Sequence, residues 1–306
     1  MTSLSVLICT YNRPDMMRLA LRALLDETSE KPDQVIVVNG GDERTDKLVA
    51  EYSGRNGVDM QLIKTMNVNL ATSRNIGIPL CSGEIVAMTD DDAEVYPDWV
   101  TQMKRVHAEH PTAGAVGGAI IGANSGQSLI SRLSDIVTFP MPTEPREVRT
   151  LPGVNVSYKR AVLQQIGPQD ETLIRSEDVD FNWRVKLAGY TVFFDPAIKV
   201  KHHHRPTLRR FIYQHYMYGR GYYLVRRKYP EMYCIYPHGF RRRKDFLKVG
   251  NFFAATIYDP LLNARRLPTL ADKVRGVPIL LVNQIAWRMG IIHQARLTSH
   301  KRTGTS

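Results

Sequence analysis

Three consecutive carboxylates, Asp90, Asp91 and Asp92, follow the apolar run Ile85-Val86-Ala87-Met88-Thr89. Unpaired carboxylates are costly to bury and repel one another, so such a cluster either sits in water or holds a cation. Hard oxygen ligands at the end of a buried strand suit Mg²⁺ or Mn²⁺, and those ions suit a diphosphate. A second acidic pair, Glu177-Asp178, heads a helical pattern. On its own such a pair at a helix start compensates the helix dipole. Arg74 can pair with a phosphate or with the acidic triplet. His202, His203 and His204 end a strand-like run, where alternate side chains point to opposite faces, so the three cannot share one ion.

The elements that must position these groups alternate between buried strands and helices. Strands are expected at 4–9, 34–38, 60–63 and 85–89, and helices at 14–25, 45–52 and 97–110. That alternation predicts an α/β fold with a mostly parallel sheet covered by helices on both faces. Ligands of such sheets bind beyond the carboxyl ends of the strands, which is where Thr10–Arg13 and Asp90–Asp92 fall. A Gly- and Ala-rich strand is expected at 113–122, then an irregular, mobile excursion at 123–150 of the kind that shapes acceptor pockets. A strand and short helix at 152–166, a helix at 177–187, and two strands at 191–194 and 198–204 complete the body.

Composition bounds the partners. The hydrophobic fraction of 43% and charged fraction of 23% are those of an ordinary globular protein. Cys9, Cys81 and Cys234 are too far apart for a metal motif, which favours a reduced, cytoplasmic setting. A strand begins almost at once, leaving no room for a signal peptide, and no apolar run is long enough for a confident membrane span. The net charge of +11 is uneven: from Lys199 onward 22 Lys and Arg face four Asp and Glu. That basic third is expected to meet something anionic, such as lipid head groups, lipid-linked phosphate or nucleic acid.

Taken in order, the motifs resemble those of family-2 glycosyltransferases with the GT-A fold, inverting enzymes that use nucleotide-activated sugars. The matching pieces are Thr10-Tyr11-Asn12-Arg13, Arg74-Asn75-Ile76-Gly77, the Asp90–Asp92 triplet, Gly153-Val154-Asn155, Glu177-Asp178 and Val200-Lys201-His202. The resemblance covers about residues 3–205. It implies a Rossmann-like mixed sheet with a UDP-sugar or another nucleotide-diphosphate sugar as donor. Thr10, Tyr11, Asn12, Arg13, Arg74, Asp90 and Asp91 would bind that donor. Asp92 and His202 would hold Mn²⁺ or Mg²⁺, Gly153 and Asn155 would shape the sugar pocket, and Asp178, with Glu177 in reserve, would be the base. Where the family usually has an aspartate after the second strand, this chain has Asn39-Gly40-Gly41, so Asn39 or Asp42 would take that contact. No Gln-x-x-Arg-Trp motif is present, which implies transfer of one sugar to a glycan or lipid-linked acceptor, as in cell-surface polysaccharide synthesis, rather than processive synthesis.

The expected organisation is a catalytic domain at 1–205, a basic, aromatic-rich helical extension at 206–298, and a disordered tail at 299–306. Apolar stretches at 249–262 and 277–292 are interrupted by polar residues, which suits helices lying on an anionic membrane surface or packing on the domain or a second subunit in a homo-oligomer. Two other readings compete. A sugar-nucleotidyltransferase would carry a glycine-rich loop after the first strand, and Thr10–Asp15 has no glycine. A non-enzymatic module would bind membrane or nucleic acid through the basic third, but no nucleic-acid motif is recognisable.

Overall fold

The computed structural model describes residues 2–139, 142–204, 207–232 and 243–303. Cys234, Arg241, Arg242 and the last three residues of the tail lie outside the described residues. The chain divides into two compact units.

The first unit comprises residues 1–123, 141–172 and 177–203. Its strands are β1 (Leu4–Thr10), β2 (Gln34–Asn39), β3 (Asp59–Lys64), β4 (Ile85–Asp90), β5 (Ala93–Val95), β6 (Ala113–Gly122), β7 (Arg146–Glu147), β8 (Asn155–Lys159) and β9 (Thr191–His202). They form one sheet in the order β3-β2-β1-β4-β8-β6-β9-β5, with β7 paired to β9. Helices α1 (Pro14–Arg22), α2 (Glu43–Tyr52), α3 (Leu70–Gly77) and α4 (Trp99–Glu109) follow β1, β2, β3 and β5. The two strands expected at 191–194 and 198–204 are one, β9, whose pairing with β6 shifts register near Gly118. Pro196 and the bulge there explain why the pattern reads as two.

The sheet is mixed, and its directions bring the motifs together. β1 to β4 are parallel, and the register sets Thr10 beside Asn39 and Cys9 beside Asp90. β8 runs antiparallel to β4, so its amino end, Asn155 opposite Thr89, arrives at that same edge. β9 is parallel to β6, and its carboxyl end sets His202 opposite Ala93 at the start of β5. Beneath this edge the core is built from Leu7, Ile36, Val86, Met88, Tyr158 and Phe181. The continuous apolar runs in β1, β2 and β4 follow from helices covering both sheet faces.

The first unit also holds α6 (Arg160–Ile166) and α7 (Glu177–Leu187), while a short helix, α5 (Leu129–Val137), lies between β6 and β7 in the chain and belongs to the second unit. The excursion expected at 123–150 therefore contains helical structure. Leu129, Leu133 and Ile136 share a face of α5, and Ser128 caps it by accepting from Ser131 N–H.

The second unit comprises residues 124–140, 173–176 and 204–306. It holds α5, α8 (Leu208–Lys228), α9 (Arg243–Ala264) and α10 (Leu270–Thr303). Its small core contains Leu133, Ile136, Phe211, Ala264, Leu267 and Leu280. Gly219 on α8 and Gly290 on α10 let those helices approach so closely that a Cβ at either would overlap the other's backbone. Helix α10 continues through Thr303, past the Ser299 at which the tail is expected to start. No helix among the described residues is long and apolar enough to cross a membrane.

Candidate active site

The loop after β1 is tied to the acidic triplet. Thr10 Oγ1 donates to Asp91 Oδ2 at 2.7 Å, and the Arg13 guanidinium reaches Asp91 and Asp92, both at 2.5 Å. Asn12 bridges this loop to the next, its Oδ1 accepting from Asp42 N–H at 2.8 Å. Its φ of +53° is a left-handed conformation that asparagine adopts more cheaply than most residues. Tyr11, in the same loop, is 48% exposed.

Arg74, on the buried face of α3, is the second link. Its Nη2 lies 3.3 Å from Asp90 Oδ1 and 3.2 Å from the Gly153 carbonyl, and its Nη1 lies 3.4 Å from Glu177 Oε1. Burial opposes its charge, but the carboxylates of Asp90 and Glu177 outweigh that and keep it a cation. Within the triplet, Asp90 is the carboxylate that Arg74 engages. Glycine at 153 leaves room for the guanidinium, since a Cβ there would sit 2.5 Å from Arg74 Nη2 and force it to shift.

Gly153 also fixes Asp178, donating its N–H to Oδ2 at 3.1 Å while Val179 N–H donates to Oδ1 at 2.8 Å. Burial, and then the neighbouring charge of Glu177, push Asp178 up to about 6, against the pull of Arg74. Asp178 is half-buried, whereas Glu177 is buried beneath the guanidinium. Ser176, just before α7, has φ +67°, a strained conformation of the sort that clusters at functional sites.

His202 Nε2 completes the constellation 3.3 Å from Asp92 Oδ1. Burial works against Asp92's charge, but the hydrogen bond and charge of His202, with Arg13, hold it below the usual carboxylate range. Asp91 is fully buried, and burial pushes it up to about 7 despite Arg13 and Thr10. Asp90 is likewise raised by burial, against the pull of Arg74. The other histidines go elsewhere: His203 pairs with Glu94 at 2.7 Å and His204 with Asp135 at 2.6 Å.

Whether these groups fit a divalent ion is a matter of donor chemistry. No group of three ligands converges among the described residues. Asp92 and His202 do offer a carboxylate oxygen and an imidazole nitrogen side by side, and Arg13 already supplies a positive charge to the same carboxylate. Mg²⁺ characteristically uses one or two carboxylates plus substrate phosphates and waters, so a pair of protein ligands fits.

Two anticipated contacts are corrected. Asn155 is an internal clamp, not a pocket wall: it is fully buried, donates to the carbonyls of Ala119 and Ile198, and accepts from the Trp99 indole at 2.9 Å. Asn39 is also buried, its amide committed to Asp46, the Asp42 carbonyl and Gly41 N–H. It shapes the loop after β2 and has no edge free for a base. Asp42, beside it, is more open and pairs with Arg44 at 2.6 Å. The sequence does not single out Trp99 or Glu171. Glu171 holds Thr72 at 2.9 Å and Asn75 at 2.8 Å, fixing α3 and with it Arg74, and no local pattern marks it. Cys9 lies under the site, but burial pushes its thiol up to about 12, so it is no nucleophile.

Residues 5–167, more than half of the chain, match the family model described as "Glycosyl transferase family 2". The chain belongs to that family. Among curated relatives, this family-2 chain is 29% identical over 189 residues to the glucosyl-dolichyl phosphate glucuronosyltransferase of Haloferax volcanii, covering 57% of this chain and 58% of that one. It is 29% identical over 157 residues to the pre-mycofactocin glycosyltransferase of Mycobacterium tuberculosis, covering 49% of this chain and 33% of that one. It thus spans between a third and three fifths of the length of these relatives. Among solved structures, the mannosyltransferase PcManGT of Pyrobaculum calidifontis, in complex with GDP-Man and Mn²⁺, superposes with a TM-score of 0.65 at 16% identity, covering 96% of this chain and 87% of that one. Residues 1–349 of TarS of S. aureus, in complex with UDP, give a TM-score of 0.56 at 17% identity, covering 99% and 92%. These likenesses establish a GT-A-like fold.

Proposed function

We propose that this family-2 chain is a metal-dependent, inverting glycosyltransferase that moves one sugar from a nucleotide-diphosphate donor to a hydroxyl of a glycan or lipid-linked acceptor. One observation carries the reading: the Arg74 guanidinium joins Asp90 to Glu177, so the acidic triplet and the α7 carboxylates share one site.

Asp178 is the base. Its two backbone hydrogen bonds hold the carboxylate in place, and a pKa of about 6 leaves it ionised at neutral pH yet basic enough to accept a proton. It takes the proton from the acceptor hydroxyl as that oxygen attacks the anomeric carbon opposite the departing diphosphate, which inverts the carbon. Glu177 is held by Arg74, so it positions more than it reacts. Asp90 binds the ribose or base region, Tyr11 offers a ring on which a base can stack, and Arg13 is the cation within reach of the diphosphate. Asp92 and His202 would hold Mn²⁺ or Mg²⁺, which when bound neutralises charge on the leaving diphosphate.

The chemistry of relatives that bind UDP or GDP-mannose supports a nucleotide-diphosphate donor, and we take a UDP-sugar as the first choice. A panel of nucleotide sugars assayed with Mn²⁺ tests the proposal. Nucleotide release or transfer with at least one donor is the expected result; no binding, hydrolysis or transfer with any donor would end the idea.

A further inference from the structure

The helices α9 and α10 of the second unit bury Ala264 and Leu280 in its core, yet each also carries a row of exposed apolar side chains. On α9 the outward positions recur every three or four residues and are filled by Phe253, Ile257, Tyr258, Leu261 and Leu262, with Ile257 67% exposed. Its inward positions include Asp259 and Thr256. On α10 the outward positions are Val274, Val282, Ile285, Met289 and Ile292, with Val274 67% exposed, while Asn283 and Arg288 are buried. Arg288 lies beneath α9, donating to the Phe252 carbonyl at 2.7 Å. A helix at a protein–water boundary ordinarily turns its apolar stripe to the core and a polar face to water. Rows of exposed apolar side chains on two helices that pack together suggest a face that is covered in use.

The charge pattern selects what covers it. The apolar stripes end in exposed arginines, Arg265 after α9 and Arg296 near the end of α10, and the chain from Lys199 onward has 22 Lys and Arg against four Asp and Glu. A symmetric contact with a second copy would set two such basic surfaces against each other. An anionic surface with an apolar interior complements both properties at once. Since no described helix can cross a bilayer, the pair would lie in the interface plane.

We propose that α9 and α10 dock this protein on an anionic lipid surface, their apolar stripes entering the head-group boundary and their terminal arginines meeting the lipid phosphates. The inference is independent of the transfer reaction, and its test needs no substrate. Full-length protein is sedimented with phosphatidylcholine vesicles, with or without phosphatidylglycerol. The expected result is binding to the anionic vesicles at least about tenfold above the neutral ones, weakened by salt. Ile257→Glu/Leu261→Glu should abolish sedimentation without lowering the melting temperature, because both side chains are exposed. Arg265→Glu/Arg296→Glu should weaken binding on the order of tenfold or more. Absence of binding to either vesicle, or equal binding to both, overturns the proposal. So does a stable dimer that Ile257→Glu/Leu261→Glu dissociates while wild-type protein ignores vesicles, since the second copy is then the occupant.

Discussion

Arg74 and Glu177 lie 103 positions apart in sequence and form a buried ion pair at 3.4 Å. Removing one partner of such a pair leaves an uncompensated buried charge. Arg74→Ala should therefore cost about 3–5 kcal/mol of stability, read as a fall in the denaturation midpoint. Arg74→Lys should recover little of it, because one ammonium cannot span Asp90, Gly153 and Glu177 as the fork does.

Asp178→Asn should lower turnover by about 10²–10⁴-fold, the usual worth of a general base, while the melting temperature changes little. Glu177→Gln should reduce turnover less and stability more, since Glu177 answers Arg74. Paired measurements of rate and thermal midpoint on both variants separate the roles.

The pH profile follows from Asp178. With its pKa raised to about 6, the base is protonated below that pH, so kcat/KM should fall tenfold per pH unit on the acid side. Linkage runs the other way: a carboxyl whose folded pKa is raised favours the fold when protonated. Its contribution to stability is complete below its ordinary value of 3.8 and disappears as pH rises through about 6. Asp178→Asn should flatten the acid limb of any residual rate and remove this part of the stability change.

Gly153→Ala tests the clamp between α3 and α7. The added methyl would stand 2.5 Å from Arg74 Nη2, so the guanidinium must shift. A loss of about 1–3 kcal/mol, with a fall in turnover, is the expected cost of overpacking. Calorimetry and a rate assay on the same preparation check it.

Removing His202 tests the ion site. His202→Ala should raise the Mn²⁺ concentration needed for half-maximal activity by about tenfold or more, and Asp92→Asn should raise it further. Direct Mn²⁺ titration by paramagnetic resonance, with nucleotide diphosphate present, reads the same shift without catalysis.

Much of this site is legible in the chain because its parts sit where strands end. The apolar runs of β1 and β4 place Thr10 and Asp90 at the carboxyl edge, and the period of two in β9 separates His202 from His203. What sequence conceals is side-chain direction. Asn155 and Asn39 have the same type as pocket-lining amides, yet one is turned inward onto Trp99 and the other onto its own loop. Helix α5 is hidden for another reason: its short apolar pattern is flanked by glycine, serine and proline, which signal irregular chain. The exposed apolar stripes of α9 and α10 are invisible to periodicity, which gives the stripe but not which side of the helix faces water.

The crowding of acids at the sheet edge has a kinetic corollary. Asp90, Asp91, Asp92, Glu177 and Asp178 outnumber the two guanidiniums, Arg13 and Arg74, that answer them. Under the proposed function, a free diphosphate approaching that edge would meet repulsion from whichever of these carboxyls are ionised, so its affinity should be low until a divalent cation arrives with it.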